Sequence, residues 1–262
     1  MVNAMVMDER APLSLGLAGR HVVIVGGSSG IGRATAEVVL RLDGEVTILA
    51  RDAGRLEAAA TAMRSLGKVT AVSLDMTDEA AVASWSAGLA PSSIDHLVIT
   101  ASASAHGAFA EIAVERVREM FASKFFGPYL VARAWLPALK EGGSITFFSG
   151  VLSRRPGLNC SGLGAVNAAI EGLARSLALE LGPRLRVNCC SPGMVRSEAY
   201  AHLPPERREA MYEATGESLP VGRVGFTYEV ADAVLFLMTN TYLTGQVLDL
   251  DGGHMIRQYA RR

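Results

Sequence analysis

Cysteine is scarce in this chain, and what there is forms no framework. The three cysteines are Cys160, Cys189 and Cys190. An odd count with two adjacent residues gives neither a disulfide scaffold nor a metal-ligand spacing, so a reducing, cytoplasmic setting is expected and no metal site. Long apolar runs are also missing, because no uninterrupted stretch reaches the length needed to span a bilayer. Met1 to Leu13 carries Asp8 and Glu9 and lacks the continuous apolar core of a signal peptide. Charge of one sign is absent too: the formal net charge is −1 over 262 residues. That balance speaks against nucleic acid or a membrane surface as partner and leaves a small molecule.

What is present is an apolar half. Hydrophobic residues make up 50% of the chain, enough for a sizeable core, and the length suits one large α/β domain better than two. Residues 1–18 read as an irregular arm and 19–262 as one domain, without repeats or linkers. Strand-like runs begin at His21, Glu45, Lys68, Ile94, Ser144, Leu185 and Gln246, and helical patterns separate them. One of these patterns spans 111–139 and should bend at Gly127-Pro128. Alternation of this kind predicts a parallel sheet with helices on both faces, all strand C-terminal ends on one edge, and ligands bound there.

The residues after each strand therefore matter most. After the first comes Gly26-Gly27-Ser28-Ser29-Gly30-Ile31-Gly32, leading into a helix. Gly26 permits a sharp turn, Gly30 lets backbone approach a phosphate, and Gly32 lets the helix pack on the sheet. The N–H groups of Ser28 to Gly32, at the positive end of the helix dipole, suit an anionic pyrophosphate. After the second strand stands Arg51, with no carboxylate before Asp52. An arginine there can pair with a 2′-phosphate, which favours NADP(H) over NAD(H), or be an ordinary exposed loop arginine. Asp75 and Met76 follow the third strand, where they would meet an adenine edge; Asp75 could equally open a helix. Ser191-Pro192-Gly193-Met194-Val195-Arg196-Ser197 follows the sixth, and this Pro-Gly corner could hold a carboxamide or be an ordinary turn. Residues 198–220, polar and Pro-containing, are expected to act as a lid.

Several of these motifs together resemble the short-chain dehydrogenase/reductase superfamily. They are Gly26-x-x-x-Gly30-Ile31-Gly32, Asn188-Cys189-Cys190-Ser191-Pro192-Gly193, Gly222-Arg223-Val224-Gly225, and Leu243-Thr244-Gly245-Gln246 running into Asp251-Gly252-Gly253. The resemblance covers about residues 17–255. It implies a single-domain Rossmann fold with a seven-stranded parallel sheet, a nicotinamide cofactor placed against Ala101, Pro192, Gly193, Val195 and Ser197, and a homotetramer or homodimer built on the long central helices and last strand.

The family's Tyr-x-x-x-Lys pair does not carry over. Counted from Asn167-Ala168-Ala169-Ile170-Glu171-Gly172-Leu173, the tyrosine position is Leu163 and the lysine position Asn167. Leucine transfers no proton. The family's serine position is Gly150, with Ser149 beside it, and the asparagine of the central helix is Lys124. A Lys124–Asn167 exchange would keep one ammonium and one amide in the site. Lys124 as proton donor, Ser149 orienting a substrate oxygen and Asn167 make the expected catalytic set. Lys124 as a surface lysine and Ser149 as a strand-end hydroxyl are the plainer alternatives. His106 could face the substrate or solvent, and Arg154 and Arg155 could bind an acidic group or be ordinary loop charge. The expected activity is NADP(H)-dependent oxidation or reduction of a small alcohol or carbonyl through a non-standard proton relay. Non-redox chemistry (cyclisation, dehydration, isomerisation) and silent cofactor binding are the rivals.

Overall fold

A computed structural model describes residues 16–101 and 103–257. Of the N-terminal arm, 1–15 lie outside the described residues, as does Ser102. Leu17, at the arm's inner end, is tucked into the core at 1% exposure.

The strands are β1 (His21–Val25), β2 (Glu45–Ala50), β3 (Val69–Ser73), β4 (Ile94–Ile99), β5 (Leu139–Phe148), β6 (Arg186–Pro192), the short β7 (Val195–Arg196) and β8 (Gly225–Phe226), and β9 (Val247–Leu250). The helices are α1 (Gly30–Arg41), α2 (Ala53–Met63), α3 (Glu79–Ala87), α4 (Val114–Phe121), α5 (Gly127–Trp135), α6 (Ser161–Leu181), α7 (Pro205–Glu217) and α8 (Thr227–Thr239). Seven strands form one parallel sheet in the order β3-β2-β1-β4-β5-β6-β9; β7 and β8 pair separately. This is the covered parallel sheet expected from the alternation and the seven-stranded Rossmann arrangement that the resemblance implies. On one face β-strand residues such as Val23, Leu97 and Phe147 pack on α3, α5 and α6 through Val82, Trp135 and Ile170. On the other, Ile24, Ile48 and Val98 pack on α1, α2 and α8 through Val39, Leu56 and Val234. Every residue of β4 is buried, as a central parallel strand requires.

Chain order reverses beside β1, whose neighbours are β2 and β4. The crevice at that switch point, outside the strand carboxyl ends, is where an open α/β sheet binds its ligand.

The long helical stretch departs from expectation. It stops at Trp135, a 3₁₀ turn covers Leu136–Ala138, and β5 starts at Leu139, five residues before the expected Ser144. Moreover, the irregularity precedes Gly127-Pro128: residues Ala122–Phe126 form a π-helical turn, closed by Gly127 N–H donating to the Ala122 carbonyl. Pro128 explains it. An uninterrupted α-helix would bond the N–H of residue 128 to the carbonyl of residue 124, and proline has no N–H and crowds that carbonyl. The turn widens instead. Lys124 lies in the middle of it.

Candidate active site

Gly26, Ser28, Ser29, Gly30, Ile31, Gly32, Arg51, Asp75, Met76, Ala101 and Ser197 all line one cleft of about 500 Å³. Eleven positions spread over five strand ends thus meet at the switch point. Gly32 is indispensable to the turn, since a Cβ there would lie 2.3 Å from the Gly26 carbonyl oxygen. At Gly30 the φ of +55° favours glycine, while a Cβ would meet only ordinary contacts, with Ser197 Cβ at 3.7 Å and Glu198 Oε2 at 3.9 Å. Ser29 caps α1 without a side-chain hydrogen bond and the first turn holds no acidic residue. The leading N–H groups are thus left for an outside anion. One anion is already there. The Glu198 carboxylate accepts the Gly30 N–H at 2.9 Å, showing that the turn takes negative charge.

At the far end of the cleft, Arg51 is exposed, 3.9 Å from the Asp75 carboxylate. Asp52, the first carboxylate after β2, is spent on capping α2, where it accepts the Arg55 N–H at 2.9 Å. Arg55 lines the cleft as well, a second cation that sequence reasoning missed although it stands one turn from Arg51. Asp75 opens no helix: Asp78 caps α3, while Asp75 accepts from the N–H and hydroxyl of Thr77. Met76 reaches the cleft, but its side chain belongs to the core.

Pro192, Gly193 and Val195 are not among the cleft's lining residues. Gly193 N–H donates to the Leu250 carbonyl at 2.9 Å, and Val195 is buried and pairs with Gly225. Ser197 accepts the Ala199 N–H through its hydroxyl, capping the turn Glu198–Tyr200.

Behind the cleft lies a buried polar centre. Of three lysines in the chain, Lys68 and Lys140 pair with Glu45 and Asp95. Lys124 has no carboxylate partner among the described residues. It is 9% exposed, and its Nζ donates to the Ser149 carbonyl at 3.1 Å. Burial pulls its pKa from 10.5 down to about 8, against a small upward pull from Cys189. On the next residue, the Gly150 carbonyl accepts from Asn167 Nδ2 at 3.2 Å. The ammonium and the amide therefore hang on consecutive carbonyls at the end of β5. Asn167 Oδ1 is buried without a hydrogen-bond partner among the described residues. A buried carbonyl oxygen so placed fits a hydroxyl-bearing group such as a nucleotide's ribose.

Ser149 is 5% exposed and donates its hydroxyl hydrogen to Glu171 Oε1 at 2.9 Å. The hydrogen with which Ser149 was expected to orient a substrate oxygen is thus taken. Gly150, not Ser149, turns toward Asn167, since a Cβ there would lie 3.1 Å from Nδ2. Leu163 packs with Met120 and Val166 in an apolar cluster bordered by Ile112, Phe121 and Leu152. His106 is exposed, with Nδ1 3.3 Å from the Cys160 sulfur. Arg154 pairs with Asp249 and Glu171, and Arg155 donates to the carbonyls of His254 and Arg257, so both guanidinium groups are bound within the protein.

A family profile described as enoyl-(acyl carrier protein) reductase matches residues 25–255. Carbonyl reductase family member 4 of Xenopus laevis is 29% identical over 235 residues, covering 88% of this chain and 95% of that one. Among solved structures, the MalC reductase/Diels-Alderase of Malbranchea aurantiaca superposes with a TM-score of 0.85 at 27% identity, covering 92% of this chain and 98% of that one. A small-chain dehydrogenase in complex with NADPH gives a TM-score of 0.75 at 35% identity, covering 90% and 98%. With its sheet order, its glycine turn and a match across most of its length, the chain belongs to the short-chain dehydrogenase/reductase superfamily of oxidoreductases.

Proposed function

We propose that this protein is an NADP(H)-dependent oxidoreductase that interconverts a small carbonyl and its alcohol, with Lys124 in place of the family's tyrosine as the proton-transferring group. The observation that carries this reading is the pairing of Lys124 and Asn167 on the consecutive carbonyls of Ser149 and Gly150. A lone ammonium is costly to bury, and one held near neutrality is suited to proton transfer. The cofactor, when bound, supplies the hydride. The chain's own residues do the rest: α1's leading N–H groups hold the pyrophosphate, Arg51 with Arg55 pairs the 2′-phosphate, Asn167 Oδ1 accepts a ribose hydroxyl, and Ser149 anchors Lys124 by its carbonyl. Leu163, Leu152 and Phe121 supply an apolar wall. The preference for NADP is supported by Asp52 being tied up as a helix cap and by the NADPH complex of a 35% identical neighbour. A carbonyl substrate is in keeping with the carbonyl reductase relative.

Residues 198–220 would form the lid, and Phe126, Tyr129 and Leu179, exposed on the long central helices, suit a homodimer or homotetramer interface. A cytoplasmic location accords with the absence, among the described residues, of a helix long and apolar enough to cross a membrane.

Titrating NADPH and NADH against the protein and its Arg51→Glu variant by nucleotide fluorescence tests the cofactor. Tighter binding of NADPH than NADH, lost in the variant, is expected; equal affinities would discard the 2′-phosphate reading. A carbonyl screen following NADPH absorbance then tests the chemistry. Leu163 in an apolar cluster and the neighbour titled a reductase/Diels-Alderase favour one second reading, non-redox turnover. Product formed with the cofactor unchanged would select it.

A further inference from the structure

One buried ionisable group has no part in the scheme above. Glu171 is 3% exposed and follows Asn167 by four residues on α6, so both point from one helix face to the end of β5. Its Oε1 accepts from Ser149 Oγ at 2.9 Å and from Ser153 Oγ at 2.6 Å, and its Oε2 lies 3.7 Å from Arg154 Nε. Arg154 is held in turn by Asp249 on β9. Ser149 and Ser153 bracket Gly150. The Gly150 carbonyl accepts from Ser153 N–H at 3.1 Å as well as from Asn167 Nδ2 at 3.2 Å. The Ser149 carbonyl, one residue earlier, holds Lys124. One carboxylate therefore grips both sides of the turn on which the ammonium and the amide depend.

We propose that Glu171 is a positioning residue: by holding Ser149 and Ser153 it orients the Gly150 carbonyl, and through it the Asn167 amide, so that Oδ1 is presented to a hydroxyl of the nicotinamide ribose. This rests on the reading that a nicotinamide dinucleotide fills the cleft. A carboxylate that only filled space would be a poor choice, since burying it is unfavourable unless its hydrogen bonds serve a geometry. Its three partners, Ser149, Ser153 and Arg154, all belong to the turn after β5, and two of them flank Gly150.

The test separates the two halves of the cofactor. NADPH and adenosine 2′,5′-bisphosphate, which has the 2′-phosphate but no nicotinamide ribose, are titrated calorimetrically into the wild type, Glu171→Gln, Glu171→Asp and Asn167→Ala, with melting temperatures recorded. Glu171→Gln and Asn167→Ala should each weaken NADPH by about fivefold to tenfold, the worth of one hydrogen bond. The bisphosphate should be unaffected, and Glu171→Asp, which keeps the charge, should lose less. Unchanged NADPH binding in Glu171→Gln overturns the proposal, and so does parallel weakening of both ligands, which would make Glu171 a general support of the fold. A wild type that binds neither nucleotide fails differently: it removes the cofactor reading itself, and the proposal with it.

Discussion

At the scale of single residues, Lys124 stands out because its position works against stability. Its folded pKa of about 8 lies below the ordinary 10.5. Between those values the unfolded chain binds a proton that the folded one releases, so stability rises with pH across that window. Below pH 8 the full penalty of a buried charge remains. Replacing Lys124 with methionine should therefore stabilise the protein at pH 7, by on the order of 1–3 kcal/mol, or a few degrees in Tm. A lysine kept for structure would give the opposite result, a lower melting temperature. If Lys124 is the proton donor, carbonyl reduction should fall as pH rises through about 8, and Lys124→Met should lose it at every pH. A Lys124→Met enzyme with an unaltered pH–rate curve would remove the residue from the mechanism. Lys124 was legible in the sequence only as a lysine in the family's asparagine position. That it turns inward was not, because the orientation depends on a widened helical turn with Pro128 as its cause.

Between elements, the contact that matters is the one from Glu198 to the start of α1. Glu198 opens the 3₁₀ turn of the segment leading to α7, and its carboxylate occupies a backbone N–H at the end of α1 that attracts anions. On the proposed reading, a cofactor pyrophosphate must displace it or lie beside a like charge. Glu198→Gln keeps the side-chain shape and removes the charge, so it should tighten NADPH by several-fold, an effect of roughly 1 kcal/mol. The gain should shrink at high salt, where screening weakens the repulsion. Weaker binding in that variant would mean that Glu198 helps hold the cofactor. Helix ends and glycine turns are local and were readable in order along the chain. A partner 168 residues away in sequence is not readable in the same manner. The early start of β5 has a similar origin: Leu139 pairs with Ile94 of β4, and after a register shift the pairing resumes at Ser144, the expected start.

Over the molecule as a whole, the parallel sheet buries groups that alternation alone would leave neutral to stability. His96 in β4 is 8% exposed and is bonded through Nδ1 to Ser144 Oγ on β5 at 2.9 Å. Burial pushes its pKa from 6.5 down to about 4. Between pH 6.5 and 4 the unfolded chain takes a proton that the folded chain refuses, so stability falls as pH falls through that range, by roughly 3 kcal/mol in total. Denaturant melts at pH 7 and pH 4.5 should record that loss, and His96→Asn should show much less of it. Equal losses in both proteins would place the acid sensitivity elsewhere.

Taken by itself, the chain's order of residues determined the alternation of strand and helix, the glycine turn after β1 and the cation after β2. Each of these is a local matter of periodicity, backbone freedom or side-chain charge. It also contains no Tyr-x-x-x-Lys sequence. The tertiary structure alone decided which groups meet behind the cleft: Lys124 from the central crossover, Asn167 and Glu171 from α6, Ser149 and Gly150 from the turn after β5. Three segments distant in sequence converge there because the sheet order sets β5 beside β4 and packs α6 over it. The turn after β5 then sets Ser149 against Glu171 and Gly150 against Asn167, one helical turn apart on the same face of α6.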